Sequence, residues 1–266
     1  MQNDRERMSF HNVPCICQGE VKNLEALPIY RYMSLEHLVG MIEMGENVLV
    51  NPLKWEDPFE AAVVKVPSRW YDGTSVDVSV IGEELFAQCW CADNVESDLR
   101  WKAYGGGGEI VRIGTTVGRL LEMVEAVFPI KTAMHIATMF GKVVYVPQED
   151  IERMCGEVSL MRVPELVPFC MLLKRDVYRQ EDEWRILIRN SEASGMDEFR
   201  ARVKIGDGLM RIPIKDQREF IHEIMLGPRL NNDNAQWLRE KLAKHKWNSS
   251  VVQSSIAEHP SFSTKY

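Results

Sequence analysis

The 266-residue chain carries 32 Lys and Arg against 39 Asp and Glu, a formal net charge of −7, and 45% of its residues are hydrophobic. This composition is ordinary for a globular protein and excludes a disordered chain, a collagen-like repeat and a coiled-coil rod. Because the chain is acidic, it lacks the positive field that holds nucleic acid strongly and non-specifically.

The first elements of the predicted fold follow a weakly patterned N-terminal arm at residues 1–26. Residues 27–32 read as a strand. A helix then starts after Ser34, a good N-cap, and ends at Gly45. A short strand is expected at 47–50. The polar beginning of the chain lacks the apolar core of a secretory signal, and no stretch approaches the length of a membrane span, so we expect a cytoplasmic protein with reduced cysteines.

The rest of the chain mixes strands and helices without strict alternation. The expected strands are 85–91, 109–115, 142–146, 182–190, 220–227 and 251–256, with a hairpin joining 201–205 to 209–214. The expected helices are 97–105, 116–128 and 233–245, helix is favoured for 148–174, and 105–108 is a glycine turn. This order predicts an α+β fold with a mixed, mostly antiparallel sheet and flanking helices, as a single domain over 27–256 before a tail at 257–266.

The first segment with unusual chemistry is Tyr30-Arg31-Tyr32. Alternation along a strand puts the two tyrosines on one face and Arg31 on the other. A guanidinium beside aromatic rings can bind a phosphate or carboxylate through two hydrogen bonds. Alternatively, Arg31 lies on the solvent face of an edge strand.

A second segment, residues 51–60, is rich in turn residues yet contains Trp55 and Phe59. Large aromatic side chains in a loop usually pack onto a core or line a pocket. Asp57 and Glu60 either cap the following helix or face a ligand.

The third segment, residues 178–185, contains Glu181 and Glu183. On a strand, both carboxylates would leave the same face. Paired carboxylates in an aromatic cleft can stabilise a sugar cation or perturb each other's pKa, whereas a charged strand edge merely discourages aggregation.

A helical aromatic pair, Trp101 and Tyr104, lies between these segments. Their spacing places both rings on one helix face, where they either stack on a planar ligand or belong to the core.

Five segments in this order resemble the bacterial family called domain of unknown function 2971: YRYMSLEHLVGMIEMG, NPLKWEDPFEA, QCWCADNVESDLRWKAYGGGG, KRDVYRQEDEWRI and FIHEIMLGP. The resemblance runs from about Pro28 to Ile256. Where that family often shows Cys-Phe-Ser after its central strand, this chain has Cys89-Trp90-Cys91.

A weaker likeness is to ADP-ribosyltransferase domains, through an opening strand with Arg, a helix, a glycine and a short strand. This resemblance implies NAD as a substrate, with Arg31 holding the pyrophosphate or adenosine ribose and Trp101 or Tyr104 enclosing the nicotinamide. Glu183 would be the catalytic carboxylate that stabilises the ribose cation, and Glu181 would orient the attacking group or act as base. We also expect Tyr32 and Asp57 to contact the cofactor, and no metal.

Three hypotheses for function stay open at this point. The first is a NAD-dependent transferase, a toxin or defence effector that modifies a protein or nucleic acid. The second is a non-catalytic module that binds a protein partner. The third is a nuclease in which Asp57, Glu60 and Glu181 or Glu183 bind Mg²⁺.

Overall fold

The computed structural model describes residues 23–65, 68–69, 73–76, 79–104, 109–127, 138–157, 170–190 and 202–256. They group into two compact units. Unit 1 contains the described residues of Met1–Leu24, Val48–Cys89 and Val124–Pro213, and unit 2 those of Glu25–Asn47, Trp90–Met123 and Ile214–Tyr266. Each unit is therefore assembled from separate segments that alternate along the sequence.

The described strands and helices are numbered here in chain order. The strands are β1 (Pro28–Ser34), β2 (Glu46–Val50), β3 (Ser68–Arg69), β4 (Ser75–Val76), β5 (Leu85–Cys91), β6 (Ile110–Thr116), β7 (Thr138–Lys142), β8 (Val144–Val146), β9 (Leu173–Arg175), β10 (Glu183–Arg189), β11 (Lys204–Gly206), β12 (Leu209–Pro213), β13 (Glu223–Leu226) and β14 (Ser250–Gln253). The helices are α1 (Leu35–Met44), α2 (Ala62–Lys65), α3 (Ser79–Glu83), α4 (Asp98–Ala103), α5 (Val117–Glu125), α6 (Gln148–Glu157), α7 (Gln217–Phe220) and α8 (Asn232–Lys244).

In unit 1, the strand order is β11, β12, β2 and β5, and β10 pairs with both β5 and β7. The β10–β7 pair is antiparallel, with Trp184 opposite Lys142. Asp207 and Gly208, both at positive φ, form the two-residue turn between β11 and β12. A separate parallel pair joins β8 to β9. The unit's core is a cluster of small and aliphatic side chains: Ala61, Val63, Val64, Leu85, Ala87, Met139, Cys170, Met171, Leu172 and Leu187.

In unit 2, β1 runs antiparallel to β6 along its whole length, from Pro28 opposite Thr116 to Ser34 opposite Ile110. The next strand, β13, is antiparallel to β6, and β14 is parallel to β13. Helix α8 connects these two parallel strands, as a parallel connection requires a crossover.

The prediction of an α+β fold with a mixed, mostly antiparallel sheet and flanking helices is confirmed, with β8–β9 and β13–β14 as parallel exceptions. Ser34 and Ser97 cap α1 and α4 through their side chains, and Gly45 closes α1 in the left-handed conformation. In the described part of the chain, no helix has both the length and the apolar character needed to span a bilayer.

Three local predictions were wrong. The strand expected over 142–146 breaks at Val143, where β7 passes into β8. The strand expected over 220–227 begins only at Glu223, because α7 precedes it. Residues 173–175, inside the segment for which helix was favoured, form β9. Residues 105–108, most of the arm and the tail at 257–266 lie outside the described residues, and the domain boundaries stay a prediction.

Candidate active site

Five charged side chains of unit 1 form what we call the carboxylate cluster: Glu60, Lys174, Glu181, Glu183 and Arg185. The Lys174 Nζ lies 2.6 Å from an oxygen of Glu181, 2.9 Å from Glu60 and 3.5 Å from Glu183. The Arg185 guanidinium lies 2.6 Å from Glu183 and 2.8 Å from Glu60. Each cation therefore bridges carboxylates from different segments of the chain.

Local structure aims two of these side chains in one direction. Glu183 and Arg185 are two residues apart in β10, so both leave the same face of the strand. Lys174 is the central residue of the short strand β9. Glu60 lies in the turn before α2, where its N–H donates to the Asp57 carbonyl.

Glu181 reaches the cluster by a different route from the one the sequence predicted. It ends the 3-10 segment Asp176–Glu181 rather than lying on the strand with Glu183. Asp182 then adopts a left-handed conformation, with φ 45°, and turns the chain into β10. The two carboxylates still meet, because both contact Lys174.

Burial differs within the cluster. The side chain of Arg185 is 1% exposed, that of Glu183 5%, and those of Lys174 and Glu60 8% each. The Glu181 side chain is 19% exposed, so it is the carboxylate most open to solvent.

The environment shifts the pKa values of the two neighbouring carboxyl groups, Glu181 and Glu183, in opposite directions. Burial raises the pKa of Glu181 above its ordinary value, because it outweighs the hydrogen bond from Lys174. Burial acts in the same direction on Glu183, but Arg185 and Lys174 together hold the pKa of Glu183 below its ordinary value. An acid pair with pKa values driven apart is the arrangement from which enzymes assign one proton-transfer group and one permanent anion.

The guanidinium of Arg185 is fixed on every side. It stacks over the Trp55 ring at 4.4 Å and donates to the Met171 carbonyl at 2.6 Å. Burial, reinforced by the charge of Glu183, raises the pKa of the neighbouring Cys89 thiol to about 12. Because a thiol attacks in its ionised form, this environment disfavours Cys89 as a nucleophile.

Tyr145 supports the backbone of the site. Its hydroxyl oxygen accepts a hydrogen bond from the Glu183 N–H at 2.9 Å, and burial raises the pKa of Tyr145 above its ordinary value. Arg179 lies over the Tyr145 ring and donates to the Tyr145 carbonyl. These contacts hold the start of β10.

Asp57 is engaged beside the carboxylate cluster. Its carboxylate binds Arg175 at 2.9 Å and accepts a hydrogen bond from the Phe59 N–H at 3.0 Å. Arg175 stacks over the rings of Phe59 and Tyr178, at 4.6 Å and 5.4 Å. Asp57 therefore stabilises its own turn, which is the capping alternative, and its predicted contact with a cofactor stays a prediction.

The other predicted cofactor residues belong to unit 2. Tyr32 meets Trp101 edge to face at 4.7 Å and stacks with Tyr104 at 6.0 Å. Tyr32 and Trp101 are buried, whereas Tyr104 is 41% exposed. Arg31 is half-buried on β1, opposite Ile113 of β6. The structure thus groups the three rings, and the proposed roles of all four residues in binding NAD stay predictions.

The sequence interpretation missed Lys174 and the role of Arg185. Alternation along β10 already implied that Glu183 and Arg185 share a face. Lys174 begins the segment KRDVYRQEDEWRI, but no role was predicted for it, because its position fell at the end of a region of ambiguous periodicity. Among the described residues, no group of three or more His, Cys, Asp or Glu side chains is arranged to hold a metal ion.

Comparisons with known proteins do not assign the chain to a family. No protein-family model matches the chain, so the resemblance to domain of unknown function 2971 gains no support, and no curated protein matches.

Solved structures of DarT from Thermus sp. 2.9 show weak fold-level similarity. The complex with NAD⁺ is 13% identical, with a TM-score of 0.37 over 86% of this chain and 96% of that chain. The complexes with carba-NAD⁺ and with ADP-ribosylated single-stranded DNA are each 11% identical, with TM-scores of 0.36 and 0.39, and cover 86% of this chain and 95% of theirs.

Proposed function

We propose that the protein is a NAD⁺-consuming enzyme of the ADP-ribosyltransferase type, with Glu183 and Glu181 as its catalytic carboxylates. The observation that carries this proposal is the meeting of the two carboxylates at Lys174, one with a raised pKa and one with a lowered pKa. The resemblance stated above extends it to a protein or nucleic-acid acceptor, as expected of a toxin or defence effector.

The proposed reaction needs two carboxyl groups with different roles. Cleavage of the bond between ribose and nicotinamide develops positive charge on the sugar, as in glycoside hydrolysis. Glu183, kept ionised by Arg185, supplies a fixed negative charge for that cation. Glu181, the more exposed carboxylate, accepts the proton that the attacking group releases.

A non-catalytic binding module is the second candidate, and one observation favours it. Every carboxylate of the cluster already contacts Lys174, and Glu60 and Glu183 also contact Arg185. Joining β9 to β10 would be a sufficient role for an ion network of this kind, without any catalysis. In that case, substitutions in the cluster change stability and no reaction is lost.

The test is nicotinamide release from NAD⁺, measured by chromatography with water or added protein and nucleic acid as acceptor. We expect release by the native chain and a loss of at least about a hundredfold in Glu183→Gln, the scale of removing one preorganised electrostatic contact. The matched control is Glu84→Gln, since Glu84 is a partly buried unit-1 carboxylate paired with Arg189 outside the cluster. No release by the folded native chain, or equal release by folded Glu183→Gln, would overturn the proposal.

A further inference from the structure

Formal charge in the carboxylate cluster does not balance. Glu60, Glu181 and Glu183 contribute three negative charges when ionised, and Lys174 and Arg185 contribute two positive ones. The side chains other than Glu181 are 8% exposed or less. Because an unbalanced charge is costly away from water, the cluster favours uptake of one proton.

The contacts show which carboxylate receives that proton. Glu183 contacts both cations, and so does Glu60. Glu181 contacts Lys174, at 2.6 Å. Because two cations stabilise each of Glu60 and Glu183 as anions, the proton goes to Glu181, whose pKa burial and the charge of Glu183 raise above its ordinary value.

We infer that Lys174 is a positioning residue of the site: its ammonium group holds three carboxylates from three chain segments in one arrangement and opposes uptake of the cluster's proton by Glu181, and so sets the pH at which Glu181 takes that proton up. The inference deepens the proposed function and rests on it for its catalytic meaning.

The surroundings of Glu181 agree with this assignment. Within the described part of the chain, the charged groups beside Glu181 are the other members of the cluster, and the titratable groups packed against the cluster include Tyr145, Tyr178 and Cys89. Among them, Lys174 lowers the pKa of Glu181 and Glu183 raises it. Removing Lys174 therefore leaves burial and Glu183 unopposed.

In the proposed reaction, the acceptor's oxygen or nitrogen forms a bond to the ribose carbon. The bond from that carbon to nicotinamide breaks, and its electron pair leaves with nicotinamide. Above its raised pKa the Glu181 carboxylate is ionised, and in that form it accepts the acceptor's proton and passes it to solvent. Lys174 contacts no reacting atom in this scheme and acts by placing Glu181.

The experiment is a pH titration of the glutamate side-chain carboxyl carbons by ¹³C NMR on the full-length chain, without NAD⁺. We expect a cluster resonance with a midpoint above the ordinary glutamate range, absent in Glu181→Gln and retained in Glu84→Gln. In Lys174→Met this midpoint moves to higher pH, and in Lys174→Arg, which keeps the charge, it stays closer to the native one. Persistence of the resonance in Glu181→Gln, or an unmoved midpoint in Lys174→Met, would overturn the inference.

A second measurement decides the question if Lys174→Met does not fold. In the native protein we expect the Lys174 ammonium protons to exchange slowly with water, because carboxylates cover them, and to exchange faster in Glu181→Gln. Equal exchange in the two proteins contradicts the positioning role. Since neither readout involves NAD⁺, absence of nicotinamide release rejects the proposed function without deciding this inference.

Discussion

Arg185 is the residue on which the buried charges of unit 1 depend most directly. It is fully buried and binds both Glu60 and Glu183. Replacing it by Met leaves two buried carboxylates with Lys174 as their remaining cation, and loss of one member of a buried ion pair typically costs about 3–5 kcal/mol. We expect Arg185→Met to lower the free energy of unfolding in urea by that amount.

The control for this prediction is Arg189→Met. Arg189 lies on the same strand and pairs with Glu84, but both side chains are 20% exposed or more. A solvent-accessible pair contributes about 1 kcal/mol or less, so this variant should remain near the native stability. Equal losses of unfolding free energy in the two variants would show that burial does not determine how much the cluster stabilises the protein.

Glu181 and Glu183 should affect the pH dependence of stability with opposite signs. The pKa of Glu183 is lowered on folding, so its contribution is present above the ordinary glutamate pKa of 4.5 and is lost as pH falls through the lower folded value. The pKa of Glu181 is raised, so its contribution is present below 4.5 and is lost as pH rises through the higher folded value.

These opposite dependences of unfolding free energy on pH are measurable by urea unfolding of the native chain, Glu181→Gln and Glu183→Gln between about pH 3 and pH 8. The difference in unfolding free energy between the native protein and Glu181→Gln should shrink as pH rises. The corresponding difference for Glu183→Gln should grow as pH rises. Slopes of the same sign would mean that the two carboxyls titrate alike and that the acid pair is not differentiated.

Two glycines of unit 2 form a matched pair for testing how closely its strands and helices pack. A Cβ added at Gly227, just after β13, would lie 2.6 Å from the Ile110 carbonyl oxygen and 3.2 Å from the Trp101 ring. Since the backbone oxygen cannot move aside cheaply, we expect Gly227→Ala to cost about 1–3 kcal/mol in unfolding free energy.

Gly40 is the counterpart, exposed in α1 with no atom within 4 Å of an added Cβ. Because Ala has the higher helix propensity, Gly40→Ala should stabilise the protein by about 0.5–1 kcal/mol. The two variants add the same methyl group, so opposite signs isolate packing from side-chain chemistry. A stabilising Gly227→Ala would contradict the close approach of β6 and the β13 end.

Across the whole molecule, the features predicted from the sequence are those fixed by neighbouring residues. The spacing of Leu35, Leu38 and Ile42 and the cap at Ser34 identify α1 because helix geometry relates residues three and four apart. The hairpin predicted between 201–205 and 209–214 is likewise local. Its first strand is Lys204–Gly206, and its turn is Asp207-Gly208, where both residues adopt positive φ.

The candidate site depends on contacts that no local pattern contains. Glu60 and Arg185 are 125 residues apart in sequence but 2.8 Å apart in space. The left-handed Asp182 separates Glu181 from β10. Asp adopts this conformation more often than most residues other than glycine, but residue type alone does not predict that it does so at this position. The sequence therefore predicted that Glu181 and Glu183 would be neighbours, but not the geometry or the lysine that joins them.

The net charge of the chain determines how strongly it should bind nucleic acid without sequence specificity. At −7, the chain repels the phosphate backbone at long range, so non-specific binding to duplex DNA should be weaker than a Kd of about 100 µM at physiological salt, measured by fluorescence anisotropy with a random-sequence duplex. Lowering the salt should strengthen binding only slightly, since few counterions would be released. Micromolar binding with a steep salt dependence would instead require a concentrated basic surface. A nucleic-acid acceptor for the proposed enzyme would then be recognised through that surface, whereas the expected weak binding means that any such acceptor must be selected by contacts at the site itself.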